Sequence, residues 1–397
     1  MAAGTPKDGT GPLAGVRVVE LGGIGPGPFA GMLLADLGAD VVRVDRPGHG
    51  PGPDGARLDP RADLTRRGKR SVHLDLATPD GARTALDLAA RADVLIEGFR
   101  PGVAERLGVG PAPCHARNPR LVYGRMTGWG QDGPLAARAG HDIGYTALSG
   151  ALGMIGAADG PPAIPANLVG DYAGGALYLV TGVLAALHHA RATGHGQVVD
   201  AAIVDGAAHL TTLFHGFLAA GLWQDRRAVN PLDGGSPFYA VYTAADGGHL
   251  AVGPLEPRFR AEFLTLLGIT DAPGDPDDPD DPDDPEQASA LRARIAARLA
   301  TRDRDAWAAH FAESDACVVP VLSLREAAAH PHLTARGTFT DHDGVRQPAP
   351  APRFSRTPTA LRHGPAVPGA DADAVARDWA LPRPDAPPPP GTPTDAA

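Results

Sequence analysis

From residue 16 to residue 126 the chain alternates between strand-like and helix-like runs, a rhythm that limits its possible folds more than any other feature. A valine-rich run at 16–21 is followed by a helical stretch at 29–37 and a second strand at 40–45. Strand signals return at 71–76, a helix at 79–92, and further strands at 94–97 and 121–126. Strands separated by helices re-enter one sheet in the same direction, so the alternation calls for a parallel sheet with helices on its faces. The expected fold class is α/β, with a Rossmann-like, parallel-sheet large domain at 12–200.

The remainder points to a smaller α+β domain. Residues 142–223 carry mostly helical patterns, with 201–225 expected as a linker helix. Short strands within 239–252 flank the turn Ala245-Asp246-Gly247-Gly248, which places the small domain at 226–330. Helices are expected at 287–300 and 303–313, and 331–380 is expected to return to the large domain. The run DPDDPDDPDDP at 275–285 contains nothing that can form a core and reads as an acidic surface insertion. Residues 1–11 are expected to be flexible and 381–397 to form a disordered tail.

Composition narrows the functional classes. With 397 residues, 43% of them hydrophobic, the chain can bury a large core. A net charge of −10 gives no bulk attraction to nucleic acid, so an anionic ligand has to be held by local arginines. Cys114 and Cys317 lie outside any ligand spacing, which favours a reduced, cytoplasmic setting without disulfides or structural zinc. The first eleven residues lack the apolar core of a signal peptide. Residues 173–190 contain no Asp, Glu, Lys or Arg, but their glycines, threonine and two histidines favour a buried core helix over a membrane span. Neither a membrane nor a nucleic-acid partner is expected.

Five segments have the residue types that chemistry needs. The cluster 22–30, read from Gly25, matches G-x-G-x-x-A after a strand, with Asp45 about twenty residues on. That is a dinucleotide fingerprint by pattern, yet Pro26 and Pro28 remove N–H donors from the turn that would cradle a pyrophosphate. A tight, closely packed strand-to-helix turn is the plainer reading. Basic residues follow the strands: Arg46, then Arg66, Arg67, Lys69 and Arg70, then Arg100 and Arg106. As a set they suit a phosphorylated, nucleotide-like ligand beyond the carboxyl ends of the sheet, although each alone also reads as a solvated surface residue.

In Gly140-His141-Asp142-Ile143-Gly144-Tyr145, His141 is able to move a proton near neutral pH. Asp142 reads either as a helix N-cap or as the start of a turn whose N–H groups face an oxyanion. Asp171, in the stretch Asn167-Leu168-Val169-Gly170-Asp171, reads either as another N-cap or as a carboxylate at the mouth of an apolar pocket, where burial would raise its pKa. Glu256 sits between nearby prolines on a stiff backbone after the strand at 249–252.

The stretches VVELGGIGPGPFA, LGADVVRVDRPG, ADVLIEGFRPGV, RMTGWGQDGP, AGHDI, NLVGD, GQVVDAAIVDG, NPLDGGSPFY, AVGPLEP and APRFSRT stand in this order between about residue 13 and residue 356. With them the chain resembles the α-methylacyl-CoA racemases, a branch of the family III CoA-transferases. The resemblance implies interconversion of (R)- and (S)-2-methylacyl-CoA thioesters by 1,1-proton transfer through an enolate. No cofactor is implied, coenzyme A being part of the substrate.

His141 and Asp171 would be the two bases, Glu256 would orient the histidine, and Asp142 would offer its backbone N–H to the thioester oxygen. The resemblance implies Arg46 at the adenine or its ribose phosphate, Leu74, Asp75, Leu76 and Ala77 along the adenine, and Arg106 on phosphate. Gly140, Ile143, Gly144 and Tyr145 would surround the thioester, with Ile24 and Arg100 in the same binding set. Ala77 and Gly144 depart from the lysine and asparagine common in relatives. An interlocked homodimer is also implied, in which Glu256 of the partner subunit completes the site. The alternative on the same fold is a CoA-transferase with Asp171 as nucleophile. A nicotinamide-dependent dehydrogenase and a non-catalytic CoA-binding protein are the more distant alternatives.

Overall fold

Six parallel strands organise the first half of this computed structural model, which describes residues 10–48, 59–270 and 285–381. They are β1 (Arg17–Leu21), β2 (Asp40–Asp45), β3 (Lys69–His73), β4 (Val94–Glu97), β5 (Val122–Thr127) and β6 (Val198–Ala202), hydrogen-bonded in the order β3-β2-β1-β4-β5-β6. The valine-rich β1 and β2 are buried along almost their whole length, as expected for parallel strands covered on both faces.

Alternate residues feed two cores. Val18, Val41, Val94 and Val122 face α1 (Pro26–Asp36), through Leu34, and a long helix whose Leu179 and Val183 point inward. Val19, Val42, Leu95 and Tyr123 face α2 (Pro79–Ala89), through Leu88. On that side they also meet Cys114 and the terminal helix Ala372–Asp378, through Val375 and Trp379. Short helices α3 (Val103–Arg106) and α4 (Pro111–Arg117) follow β4.

Next come α5 (Asp142–Leu148), a nine-residue π-helix (Leu168–Ala176), its continuation α6 (Leu177–Thr193) and α7 (Ile203–His209). The segment Leu168–Thr193 is long and apolar enough to cross a membrane by composition. In this fold Leu179, Val183, Ala186 and Leu187 are buried in the first core.

The strands at 40–45 and 94–97 lie where the sequence places them, and three details differ. Helix α1 begins at Pro26 rather than at 29, because a proline in the first turn has a pre-set φ and no N–H to lose. Strand β3 starts at Lys69 rather than at 71, because its charges are buried by pairing. Strand β6 lies in a region read as helical: VVDAA is too short and too small-residued to show a strand pattern, and its pairing with β5 (Tyr123 opposite Val198) makes it one.

The described residues of Met1–Ser149, Ala166–Leu210 and Gly337–Ala397 make up one compact unit, and those of Gly150–Pro165 and Thr211–Arg336 a second. Residues 201–225, expected as one linker helix, contain α7 and α8 (Thr212–Ala219). The second unit has an antiparallel sheet, β7 (Ala240–Thr243), β8 (His249–Val252) and β9 (Val318–Pro320), in that order. It packs with α9 (Pro257–Leu267), α10 (Pro285–Leu299) and α11 (Arg304–Phe311) around Leu250, Phe263, Ile295 and Trp307. The expectations for 1–9, 275–284 and 382–397 lie outside the described residues.

Candidate active site

The sheet order reverses between β1 and β4, and the loops beyond the carboxyl ends of strands at such a point are where open α/β sheets bind ligands. The turn after β1 contains Ile24, which is 67% exposed, and Gly25, whose φ of 69° suits glycine. Pro26 and Pro28 follow as the first residues of α1 and leave few N–H groups at its start. Asp45, the acidic residue of the dinucleotide pattern, is already engaged by Arg43 (2.8 Å), Arg66 (2.5 Å) and Ser71 (2.6 Å). Against the cost of burial, the bond from Arg66, the Arg43 and Arg66 charges and the Ser71 hydroxyl hold its carboxyl well below the usual range. The turn fits tight packing, not a nicotinamide dinucleotide.

Four of the seven basic residues proposed as ligand contacts turn inward, which corrects that part of the sequence reading. Arg66 pairs with Asp45, Arg67 with Asp36 (2.6 Å), Lys69 with Glu20 (2.5 Å), and Arg70 with Asp40 (2.5 Å) and Asp378 (2.7 Å). Arg66 and Lys69 are each only 1% exposed. Burial pulls the Lys69 ammonium down to about 8 despite the Glu20 charge. Their acidic partners lie on β1, α1 and β2, so only the folded sheet reveals the pairing.

Arg46, Arg100 and Arg106 are left exposed beyond the strand ends. Leu74 and Leu76 are half-buried against the second core, and Ala77 is exposed. The carboxylate of Asp75 accepts the Ala77 N–H at 3.0 Å, and its carbonyl accepts the Thr78 hydroxyl at 2.8 Å, which locks the loop entering α2.

Beside this edge, α5 and the π-helix bring three chemistry-bearing residues together. His141 is exposed, in extended conformation, and occupies the N-cap position of α5, its carbonyl accepting the Gly144 N–H at 2.8 Å. Asp142 is therefore not the N-cap; it is the first helical residue, 8% exposed, and its Oδ2 accepts the backbone N–H of Asp171 at 2.6 Å. Nor does Asp171 cap a helix. It stands inside the π-helix, an insertion-like geometry often found at functional sites.

The half-buried Asp171 carboxylate faces Gly25, where an added Cβ would lie 3.0 Å from Oδ2, and accepts a bond from Asn167 Nδ2 at 3.3 Å. Burial raises its pKa, the Asp142 charge adds to the rise, and the Asn167 bond and His141 oppose it. Phe29 stacks on Tyr172 with ring centroids 4.2 Å apart, packing α1 on the π-helix next to Asp171. Tyr145 is buried edge-on to Trp129 (4.6 Å, 81°), while Gly140 and Gly144 are half-buried and Ile143 is 44% exposed.

Glu256 belongs to the second unit, where it is exposed, heads α9, and accepts the Phe259 and Arg260 N–H groups at 3.0 Å through its carbonyl. Among the described residues, no group of three or more His, Cys, Asp or Glu side chains is placed to hold a metal ion. Sequence reasoning missed Asn167, four positions before Asp171, although that spacing puts two side chains on one helical face. It also missed Gly25 as the wall behind the carboxylate, a contact with no local signature.

The family described as CoA-transferase family III matches residues 13–374. The chain is 42% identical over 364 residues to the alpha-methylacyl-CoA racemase of Mus musculus, covering 91% of this chain and 89% of that protein. It is 43% identical over 351 residues to the alpha-methylacyl-CoA racemase of Homo sapiens, covering 87% of each. The succinate–glutarate CoA-transferase of Agrobacterium fabrum is 34% identical over 370 residues, covering 89% of this chain and 91% of that protein. The crystal structure of a CAIB/BAIF family protein from Brucella suis superposes with a TM-score of 0.80 at 29% identity, covering 94% of this chain and 100% of that one.

Proposed function

The chain belongs to CoA-transferase family III, and from that premise we propose that it is a racemase of 2-methyl-branched acyl-CoA thioesters. The observation that carries this reading is the placement of His141, at the N-cap of α5, beside the Asp142 whose carboxylate holds the backbone of Asp171, a half-buried carboxyl with a raised pKa. Inversion through a planar enolate needs one proton carrier on each face, able to exchange roles between directions.

In one direction Asp171, ionised, removes the α-proton and His141, protonated, delivers a proton to the opposite face. The reverse direction starts from His141. The Asp142 N–H, in the first turn of α5 where helical N–H groups have no intrahelical acceptor, donates to the thioester oxygen as charge develops there. Arg46, Arg100 and Arg106 hold the phosphates and adenine of the CoA moiety, and Leu74 and Leu76 offer the adenine an apolar edge. The chemistry requires no redox cofactor. Two copies interlock, and Glu256 of the partner subunit orients His141; activity persisting in a proven monomer would refute that arrangement.

The deciding experiment supplies each epimer of a 2-methylacyl-CoA separately in D₂O and follows deuterium uptake and configuration at the α-carbon. The wild-type protein exchanges and inverts both. His141→Ala abolishes exchange from one epimer, Asp171→Ala from the other, and both variants lose inversion. CoA passing to an added free acid without α-exchange would instead make Asp171 the nucleophile of a transferase.

A further inference from the structure

A buried charge group lies beneath the turn that backs Asp171. Glu20, Arg43 and Lys69 are 1%, 8% and 1% exposed, and the Glu20 carboxylate is held by Arg43 Nη1 and by Lys69 Nζ. Arg43 also donates to the turn after β1, and Lys69 to the first turn of α1 that follows it. Arg43 Nη2 bonds the Gly23 carbonyl at 3.0 Å, and Lys69 Nζ bonds the Pro28 carbonyl at 2.8 Å. These two carbonyls flank Gly25, the residue against which Asp171 Oδ2 rests.

The start of α1 meets the π-helix twice more. Pro26 lies 3.2 Å from where a Cβ on Gly175 would stand, and Phe29 stacks on Tyr172. Stability alone does not explain the charges, since apolar residues of similar volume often serve a buried site as well as an ion pair does. Charge-assisted bonds to two chosen carbonyls do something apolar packing cannot, which is to fix the turn at two points with direction.

We infer that Arg43 and Lys69 are positioning residues for Asp171, clamping residues 23–28, the turn after β1 and the start of α1, so that the Asp171 carboxylate stands at one place beside the substrate α-carbon. This inference rests on the racemase reading, in which Asp171 serves one face of that carbon and His141 the other. Misplacing Asp171 therefore has a signature that general destabilisation lacks: it slows exchange from one epimer only.

The test measures α-deuterium exchange from each epimer with Lys69→Met, Lys69→Arg and Arg43→Lys, using Asp171→Ala to identify the epimer that Asp171 serves. In Lys69→Met, exchange from that epimer falls on the order of 10²-fold, the scale of a misplacement of about 1 Å. Exchange from the His141-served epimer changes little, and inversion of both falls. Lys69→Arg recovers part of the loss. Arg43→Lys keeps a cation beside Glu20 but gives up the bonds to Gly23 and Asp45, so it shows the same one-sided loss even where Lys69→Met does not fold. Equal slowing of both epimers, or no slowing of either, in a folded variant overturns the inference while leaving the racemase reading intact. A wild-type protein that exchanges neither epimer overturns both.

Discussion

Asp142 and Asp171 are joined by a hydrogen bond of 2.6 Å from the backbone N–H of Asp171 to the Asp142 carboxylate, across 29 residues of sequence. The bond ties the first turn of α5, next to His141, to the π-helix that carries Asp171. One side chain thus sets the spacing of the two proposed proton carriers.

Removing that carboxylate separates its two effects. Asp142→Ala strands a partly buried N–H, at about 1–3 kcal/mol of stability, and lowers turnover because the π-helix loses its tether. Asp142→Asn keeps an acceptor but removes the negative charge that raises the Asp171 pKa. Its kcat/KM profile should keep its height while the limb governed by Asp171 moves to lower pH. An unmoved limb would mean that the Asp142 charge does not reach Asp171.

The raised pKa of Asp171 makes a prediction about stability as well. A carboxyl whose folded pKa lies above its unfolded one binds its proton more tightly in the native state. Its contribution is fully present below the ordinary carboxylate value of 3.8 and is lost as pH rises through the folded value. Asp171→Asn, which is never charged, should therefore become more stable relative to wild type as pH rises from 3.8 toward neutrality. Urea unfolding of both proteins across a pH series measures this; a difference that shrinks with rising pH contradicts it.

The arginines should divide by location. Arg46→Gln, Arg100→Gln and Arg106→Gln should raise KM for the acyl-CoA, more so at low salt, and leave stability within about 0.5 kcal/mol. Arg66→Leu leaves the buried Asp45 without one of its cations and should cost about 3–5 kcal/mol, with KM unchanged in the folded fraction. Thermal melts and steady-state kinetics on the same preparations separate the two groups. A raised KM in Arg66→Leu would restore it as a ligand contact.

Close backbone contact supports the π-helix from its other side. A Cβ on Gly206, in α7, would fall 1.8 Å from the Gly174 carbonyl oxygen. Gly206→Ala should destabilise by about 1–3 kcal/mol through overpacking and depress turnover by displacing Asp171. Gly216, in α8, has nothing within 4 Å of such a Cβ. Gly216→Ala should be neutral or stabilising by about 0.5–1 kcal/mol. Chemical denaturation midpoints decide both cases.

The extent to which this protein was legible follows from how local each signal is. Strands β2 and β4 show in the sequence because runs such as DVVRVD and VLIE are dominated by valine, leucine and isoleucine and bounded by turn signals. The short strands around the 245–248 turn show because the turn residues mark them. His141 and Asp171 stand out as residue types in glycine-rich surroundings, and the family resemblance names them. Strand β6 and the π-helix do not show: the first is five small residues, the second differs from an α-helix only in its hydrogen-bond register.

The sequence by itself determined most of the elements and their order, β6 and the π-helix excepted, because periodicity and turn chemistry act over a few residues. Only the tertiary structure decided the fate of each charge. Arg66, Arg67 and Lys69 look no different along the chain from Arg46 or Arg100, yet they are buried on Asp45, Asp36 and Glu20. A charge leaves water only where a distant segment brings a partner within hydrogen-bond distance, and that meeting is a property of the folded sheet.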